Sequence, residues 1–282
     1  MAILTAACCS GTTQMGTPTG TVSKMAGVDC YVAKPSSPTT TAVILGTDVF
    51  GYAIPNPRLQ ADLFAAKGIH CVVPDVFNGK PMSYSLMASM DNLSSNKASF
   101  FTKASSIFSL LWNAVPFMFS NKTQTAAAII KRTGAALRAD MPDIKHVFVV
   151  GYCWGGAAAV QLAGEADHGL SGIVSAHPGQ FKNPADLVAM RVPTLMQMSG
   201  VDMLYKDADK AVIQKAVLAR NDGSQYILYP DVNHGFAIRA DQTVPHQKEM
   251  KDKAFNDAVA FIQTISGVTL KDDAVIKVES KT

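Results

Sequence analysis

The chain has 282 residues, enough to bury about three quarters of its unfolded surface in one large α/β domain. Its net charge is +3 and the basic residues are scattered rather than gathered into a stripe, so the expected partner is a small molecule and not nucleic acid. The five cysteines (Cys8, Cys9, Cys30, Cys71, Cys153) have neither paired nor zinc-type spacing, which argues against a disulfide framework or a metal centre.

Residues 1–24 are rich in Thr, Gly and Ser and lack a basic start, so they are expected to form a flexible lead without a secretory signal, in a reducing, cytoplasmic setting. Short β-branched or apolar runs then alternate with helical patterns. Strands are expected at 28–33, 41–45, 69–73, 146–150, 172–176, 194–198 and 226–229, and helices at 57–66, 122–138, 154–162, 207–219 and 246–265. That rhythm predicts an α/β fold over 25–266: a mostly parallel, doubly wound sheet covered by helices on both faces, with a site at the carboxyl ends of its strands. The tail, 267–282, reads as a peripheral strand or as disordered.

One interval breaks the rhythm. About seventy residues separate the strand ending at Val73 from the next, room for two or three helices where a single crossover would do, so a helical insertion is expected before the nucleophile strand. The excess, near 82–120, holds Met82, Met87, Met90, Phe100, Phe101, Phe108, Trp112, Phe117, Met118 and Phe119. These fit a cap giving the site a dry wall, and they fit core packing or a subunit contact equally well. Lys103, Asn113 and Pro116 interrupt the most apolar part, so it does not span a membrane, and no membrane partner is expected.

The most informative residues are Gly151-Tyr152-Cys153-Trp154-Gly155-Gly156, between the apolar run 146–150 and the small residues that follow. Glycines around a central side chain at a strand-to-helix turn let the backbone fold sharply enough to push that side chain out of the sheet. A thiol there is a candidate nucleophile; the plainer reading is a buried structural cysteine. A nucleophile needs a base and the base needs an orienter. Asp202 follows the strand at 194–198 through Ser199-Gly200-Val201, and His234 follows the strand at 226–229 through Pro230-Asp231-Val232-Asn233. The order nucleophile, acid, histidine is that of α/β-hydrolases. Taken singly, Asp202 could cap a helix and His234 could be a solvent-exposed loop residue. His177, at the end of the strand at 172–176, is a further candidate for the pocket wall.

With these residues in view the chain resembles the dienelactone hydrolase family, cysteine-dependent α/β-hydrolases that open an enol-lactone. The likeness runs from about Val28 to Ile265 and rests on the elbow, on Gly200-Val201-Asp202, on Asn233-His234-Gly235-Phe236, and on Pro74 to Pro81, which is similar to the fungal-type branch. It implies that Cys153, Asp202 and His234 form the triad, with the Trp154 and Val49 N–H groups as the oxyanion hole. It also implies a resting-state thiol partner at Asp48, where bacterial members carry a glutamate one methylene longer. Those members hold the lactone carboxylate with arginines, one in a His-x-Phe-x-Arg stretch. Here Arg239 comes one residue late and Lys80 is the nearest other cation, so that carboxylate is expected to bind poorly or differently.

Lys80, Tyr152, His177, Phe236 and Arg239 are accordingly the candidate substrate contacts. The expected reaction is opening of a lactone or cleavage of an activated ester through a thioacyl-enzyme, with no metal or organic cofactor, in a monomer or homodimer. The alternatives are a ligand-binding or thiol-sensing protein without turnover on the same fold, and a scaffold using 100–119 as a contact surface.

Overall fold

The computed structural model describes residues 11–84, 86 and 99–270. Within them lies an eight-stranded sheet of order β1-β2-β4-β3-β5-β6-β7-β8. Its strands are β1 (Thr21–Met25), β2 (Val28–Ala33), β3 (Thr41–Gly46), β4 (His70–Pro74), β5 (His146–Tyr152), β6 (Gly172–Ala176), β7 (Thr194–Val201) and β8 (Gln225–Asn233). From β4 to β8 every neighbour pair is parallel, while β1-β2 and β2-β4 are antiparallel. The all-apolar centres of β3, β4 and β5 are buried on both faces, as parallel strands under two helical layers must be.

Helices cover each face. On one side α1 (Pro55–Ala66) and α8 (Pro245–Ser266) bury Phe64, Ala254, Ala258, Phe261 and Ile262 against Val43, Leu45 and Val150. On the other, α3 (Thr123–Asp140), α4 (Trp154–Ala163) and α6 (Asp207–Leu218) bring Ile129, Ile130, Val160 and Ile213 onto Ile44, Val149 and Met196. Shorter helices α5 (Ala185–Ala189) and α7 (Phe236–Arg239) complete the carboxyl edge.

Two features depart from the sequence reading. Residues 11–24, expected as part of a flexible lead, are bound into the fold. β1 pairs with β2 through a turn at Ala26 and Gly27, both at positive φ (49° and 74°), which suits a tight hairpin. Gln14 bonds to Asn56 and to the Ile238 carbonyl, and the Thr12 N–H bonds to the Arg239 carbonyl. Second, β7 and β8 run past Met198 and Tyr229, through a register shift between Ser199 and Val201. The insertion before β5, expected to be helical, contains one long helix, α2 (Phe100–Ser120), N-capped by Ser99, whose hydroxyl accepts the Thr102 N–H at 3.1 Å. Met87, Met90, Cys8, Cys9, the Phe100 side chain and residues 271–282 lie outside the described residues. Among the described residues no helix is long and apolar enough to cross a membrane.

Candidate active site

The elbow is made by backbone that no larger residue could follow. Cys153 sits at φ 51°, ψ −113°, a conformation that costs an L-residue about 1–3 kcal/mol unless its surroundings fix it. They do. Its N–H donates to the Ala176 carbonyl at 3.1 Å, and its own carbonyl accepts the Gly179 and Ala157 N–H groups at 2.7 and 3.1 Å. A Cβ on Gly155 would lie 2.3 Å from the carbonyl carbon and oxygen of Gly46, and one on Gly151 would lie 2.3 Å from the Gly155 oxygen. The helix start therefore packs directly onto the end of β3.

That contact is tied by a hydrogen bond: the Gly155 N–H donates to the Thr47 carbonyl at 2.9 Å, pinning the 47–51 turn against the elbow. Val49 is fully buried in that turn, Trp154 opens α4, and neither N–H has a hydrogen-bond acceptor among the described residues.

Asp202 and His234 are delivered by the extended ends of β7 and β8. Val201 pairs with Asn233 in the parallel register, so the next residue on each strand emerges beside the other. His234 Nδ1 lies 2.9 Å from Asp202 Oδ2, and both side chains are fully buried. Burial pushes the Asp202 carboxyl upward, but the His234 bond and charge, the Ser199 hydroxyl (2.6 Å) and the Leu204 N–H (2.9 Å) outweigh it and hold the carboxyl below its ordinary value. The carboxylate thus stays ionised and fixes the imidazole tautomer.

His177 lies between the elbow and this pair. Its ring is 5.9 Å from that of Tyr152, 5.0 Å from that of His234 and 5.7 Å from that of Phe236. It is fully buried, and neither ring nitrogen has a hydrogen-bond partner among the described residues. Burial, then the charges of His234 and Arg239, hold it well below the ordinary histidine range, so it stays neutral.

The thiol is not exposed. Cys153 is 2% accessible and shares an apolar cluster with Trp154, Phe117, Leu204 and Tyr205. The Phe117 ring lies 5.3 Å from that of Trp154 and 5.2 Å from that of Phe77, so the C-terminal end of α2 seats on the residue next to the nucleophile. Cys153 stands at the turn between β5 and α4, and Phe117 of the aromatic insertion packs on its neighbour Trp154. A cavity of about 280 Å³ lies beside His234, walled by Gly11, Asp231, Phe236, Arg239 and Gln247 among others, and Cys153 is not part of its wall.

Asp48 and Arg239, expected as thiol partner and substrate cation, meet each other. The Arg239 guanidinium donates to Asp48 Oδ2 with both side chains buried, while Asp48 Oδ1 accepts the Phe50 N–H at 3.0 Å. Lys80 stays exposed, with its carbonyl bonded to Asn121. Tyr152 and Phe236 are buried supports around His177. The sequence reading missed Ser199, Tyr205 and the Phe77–Phe117 pair. Ser199 was within reach of notice, three residues before an acid in a turn. Tyr205, whose hydroxyl donates to the Gly179 carbonyl at 2.7 Å, carries no local signal.

A mostly parallel sheet of this order with such an elbow at its carboxyl edge is that of the α/β-hydrolase fold, and the family match makes the protein a hydrolase of carboxylic esters. The dienelactone hydrolase family model matches residues 28–266, and the chain belongs to that family. It is 29% identical to the hydrolase pyvD of Aspergillus violaceofuscus, over 90% of this chain and 94% of that one. It is 26% identical to a carboxymethylenebutenolidase homolog of Xenopus tropicalis, over 83% and 86%. The crystal structure of dienelactone hydrolase from Anabaena variabilis shares the fold at a TM-score of 0.55 and 15% identity, covering 84% of this chain and 94% of that one.

Proposed function

We propose that the protein cleaves a lactone or activated ester through a thioacyl-enzyme on Cys153. The observation that carries this reading is the buried Asp202–His234 pair delivered to the same sheet edge as a strained cysteine elbow. Cys153 Sγ gives its proton to His234 and attacks the acyl carbon. A C–S bond forms, the carbonyl pair moves to oxygen, and the Val49 and Trp154 N–H groups receive that charge. As the carbonyl re-forms, the C–O bond breaks and His234 protonates the departing oxygen. Water, losing a proton to His234, then attacks the thioester and restores the thiol. Because thiolate leaves more readily than alkoxide, the reaction favours substrates whose own leaving group is good, such as an enolate or phenolate.

The test is quenched intact-protein mass spectrometry during turnover of p-nitrophenyl acetate. One acyl adduct that maps to Cys153, steady release, and loss of both in Cys153→Ala are expected. Undiminished turnover by Cys153→Ala would overturn the reading. A single burst with no later release would instead mark a thiol binder without turnover.

A further inference from the structure

Helix α2 carries an apolar face that the hydrolase chemistry does not use. Phe101, Phe108, Trp112 and Phe119 are 81%, 67%, 72% and 74% exposed. They are spaced seven, four and seven residues apart, so on a helix all four fall within about 40° of one another and form a line roughly 27 Å long. The Phe108 and Trp112 rings are stacked at 5.9 Å, so part of the line is already ordered. Buried Ser106 and Phe117 lie about 140–160° around the helix, and Phe117 fixes that side to Trp154. The outward rings together present roughly 600 Å² of apolar surface, at or above the largest patch a soluble monomer usually shows.

Charge indicates what covers it. Residues 92–139 contain no Asp or Glu but hold Lys97, Lys103, Lys122, Lys131, Arg132 and Arg138. Lys131 is engaged by Glu165 at 2.8 Å, and the segment remains positive after that pairing. A second copy would set this acid-free segment against itself. Two such faces would also bury only about 1,200 Å², the lower edge for a stable interface. An aromatic stripe on a helix that carries no acidic residue, with exposed Lys122 three residues beyond Phe119, instead fits the interface of an anionic bilayer, where Trp and Phe rings enter the headgroup boundary and a lysine meets lipid phosphate or carboxylate.

We propose that α2 docks the protein onto anionic lipid surfaces, lying in the headgroup plane without crossing the membrane. The expectation of no membrane partner rested on the lack of a spanning segment, and lying on a bilayer needs none. The proposal does not depend on the chemistry at Cys153.

The full chain reports on itself, because it has two tryptophans and only Trp112 is exposed, Trp154 being 5% accessible. Vesicles of phosphatidylcholine, alone or with phosphatidylserine raised to about a third, are titrated while following tryptophan emission and co-sedimentation. A blue shift and co-sedimentation with the anionic vesicles, weakened by salt, are expected. Phe101→Ser with Phe108→Ser, which keeps the reporter, is expected to weaken binding at least about tenfold, whereas Val188→Ser, at an exposed site on α5, leaves it unchanged. Absence of binding by the wild type, equal binding to neutral vesicles, or a lipid-free dimer that the Phe variants dissociate would each overturn the proposal.

Discussion

Arg239→Met tests whether the Asp48–Arg239 pair is structural. The substitution keeps most of the stem's volume but leaves the Asp48 carboxylate, 1% exposed, with the single Phe50 N–H at 3.0 Å. Removing one partner of a buried ion pair costs about 3–5 kcal/mol, because the stranded charge has lost its compensation. In a domain of this size each kcal/mol moves the melting temperature by about 2–4 °C, so a fall of roughly 6–20 °C is expected. Asp48→Asn combined with Arg239→Met removes both charges and keeps an oxygen for the Phe50 N–H. The double variant should therefore regain stability to within about 1–2 kcal/mol of wild type. The assay is urea unfolding of wild type, both singles and the double variant, closing the cycle. A cost below about 1 kcal/mol for Arg239→Met, or a double variant as unstable as the two singles summed, would refute the argument. Were Arg239 a substrate clamp instead, its loss would raise KM for a carboxylate-bearing ester and leave the melting curve in place.

Three further outcomes follow from the site. Asp202→Asn removes the charge that orients and stabilises the His234 imidazolium, and kcat on an activated ester should drop by about 10³–10⁴, with a change under tenfold counting against the triad. His177 binds its proton less readily folded than unfolded, so its contribution to stability is complete above about pH 6.5 and drains away as pH falls, by up to about 1.4 kcal/mol per unit. His177→Phe should lose less stability than wild type between pH 7.5 and 5.5 in urea midpoints; parallel curves would show that the ring does not titrate with unfolding. Gly155→Ala has no room for its methyl against the Gly46 backbone; it should either fail to fold or cost at least about a hundredfold in kcat/KM, and near-normal activity would mean the elbow is less tightly packed than described.

Much of the molecule was legible because its signals are local. The elbow could be read because its glycines stand together in one short motif, although only Gly151 answers a neighbour within it, Gly155 answering the distant backbone of Gly46. Asp202 and His234 could be read because the ends of parallel strands are where a covered sheet leaves side chains free to act. What was illegible depended on distant chain. Residues β1 contributes are mostly solvent-facing, so no alternation marked the strand. The added lengths of β7 and β8 cross Gly200 and Pro230, which locally signal a break, and only pairing between the two strands carries them through. Phe117 against Trp154 and the Tyr205 hydroxyl on the Gly179 carbonyl are long-range contacts that no motif links to the elbow. Arg239 shows most clearly how a small sequence change becomes a structural one. Moving a side chain one position along a helix rotates it by about 100°, enough to change which neighbours an arginine meets. In this chain it meets Asp48, beneath a Gly235 whose missing Cβ would otherwise stand 2.5 Å from the guanidinium. With Arg239 held in an internal ion pair, exposed Lys80 is the other candidate cation for an anionic substrate.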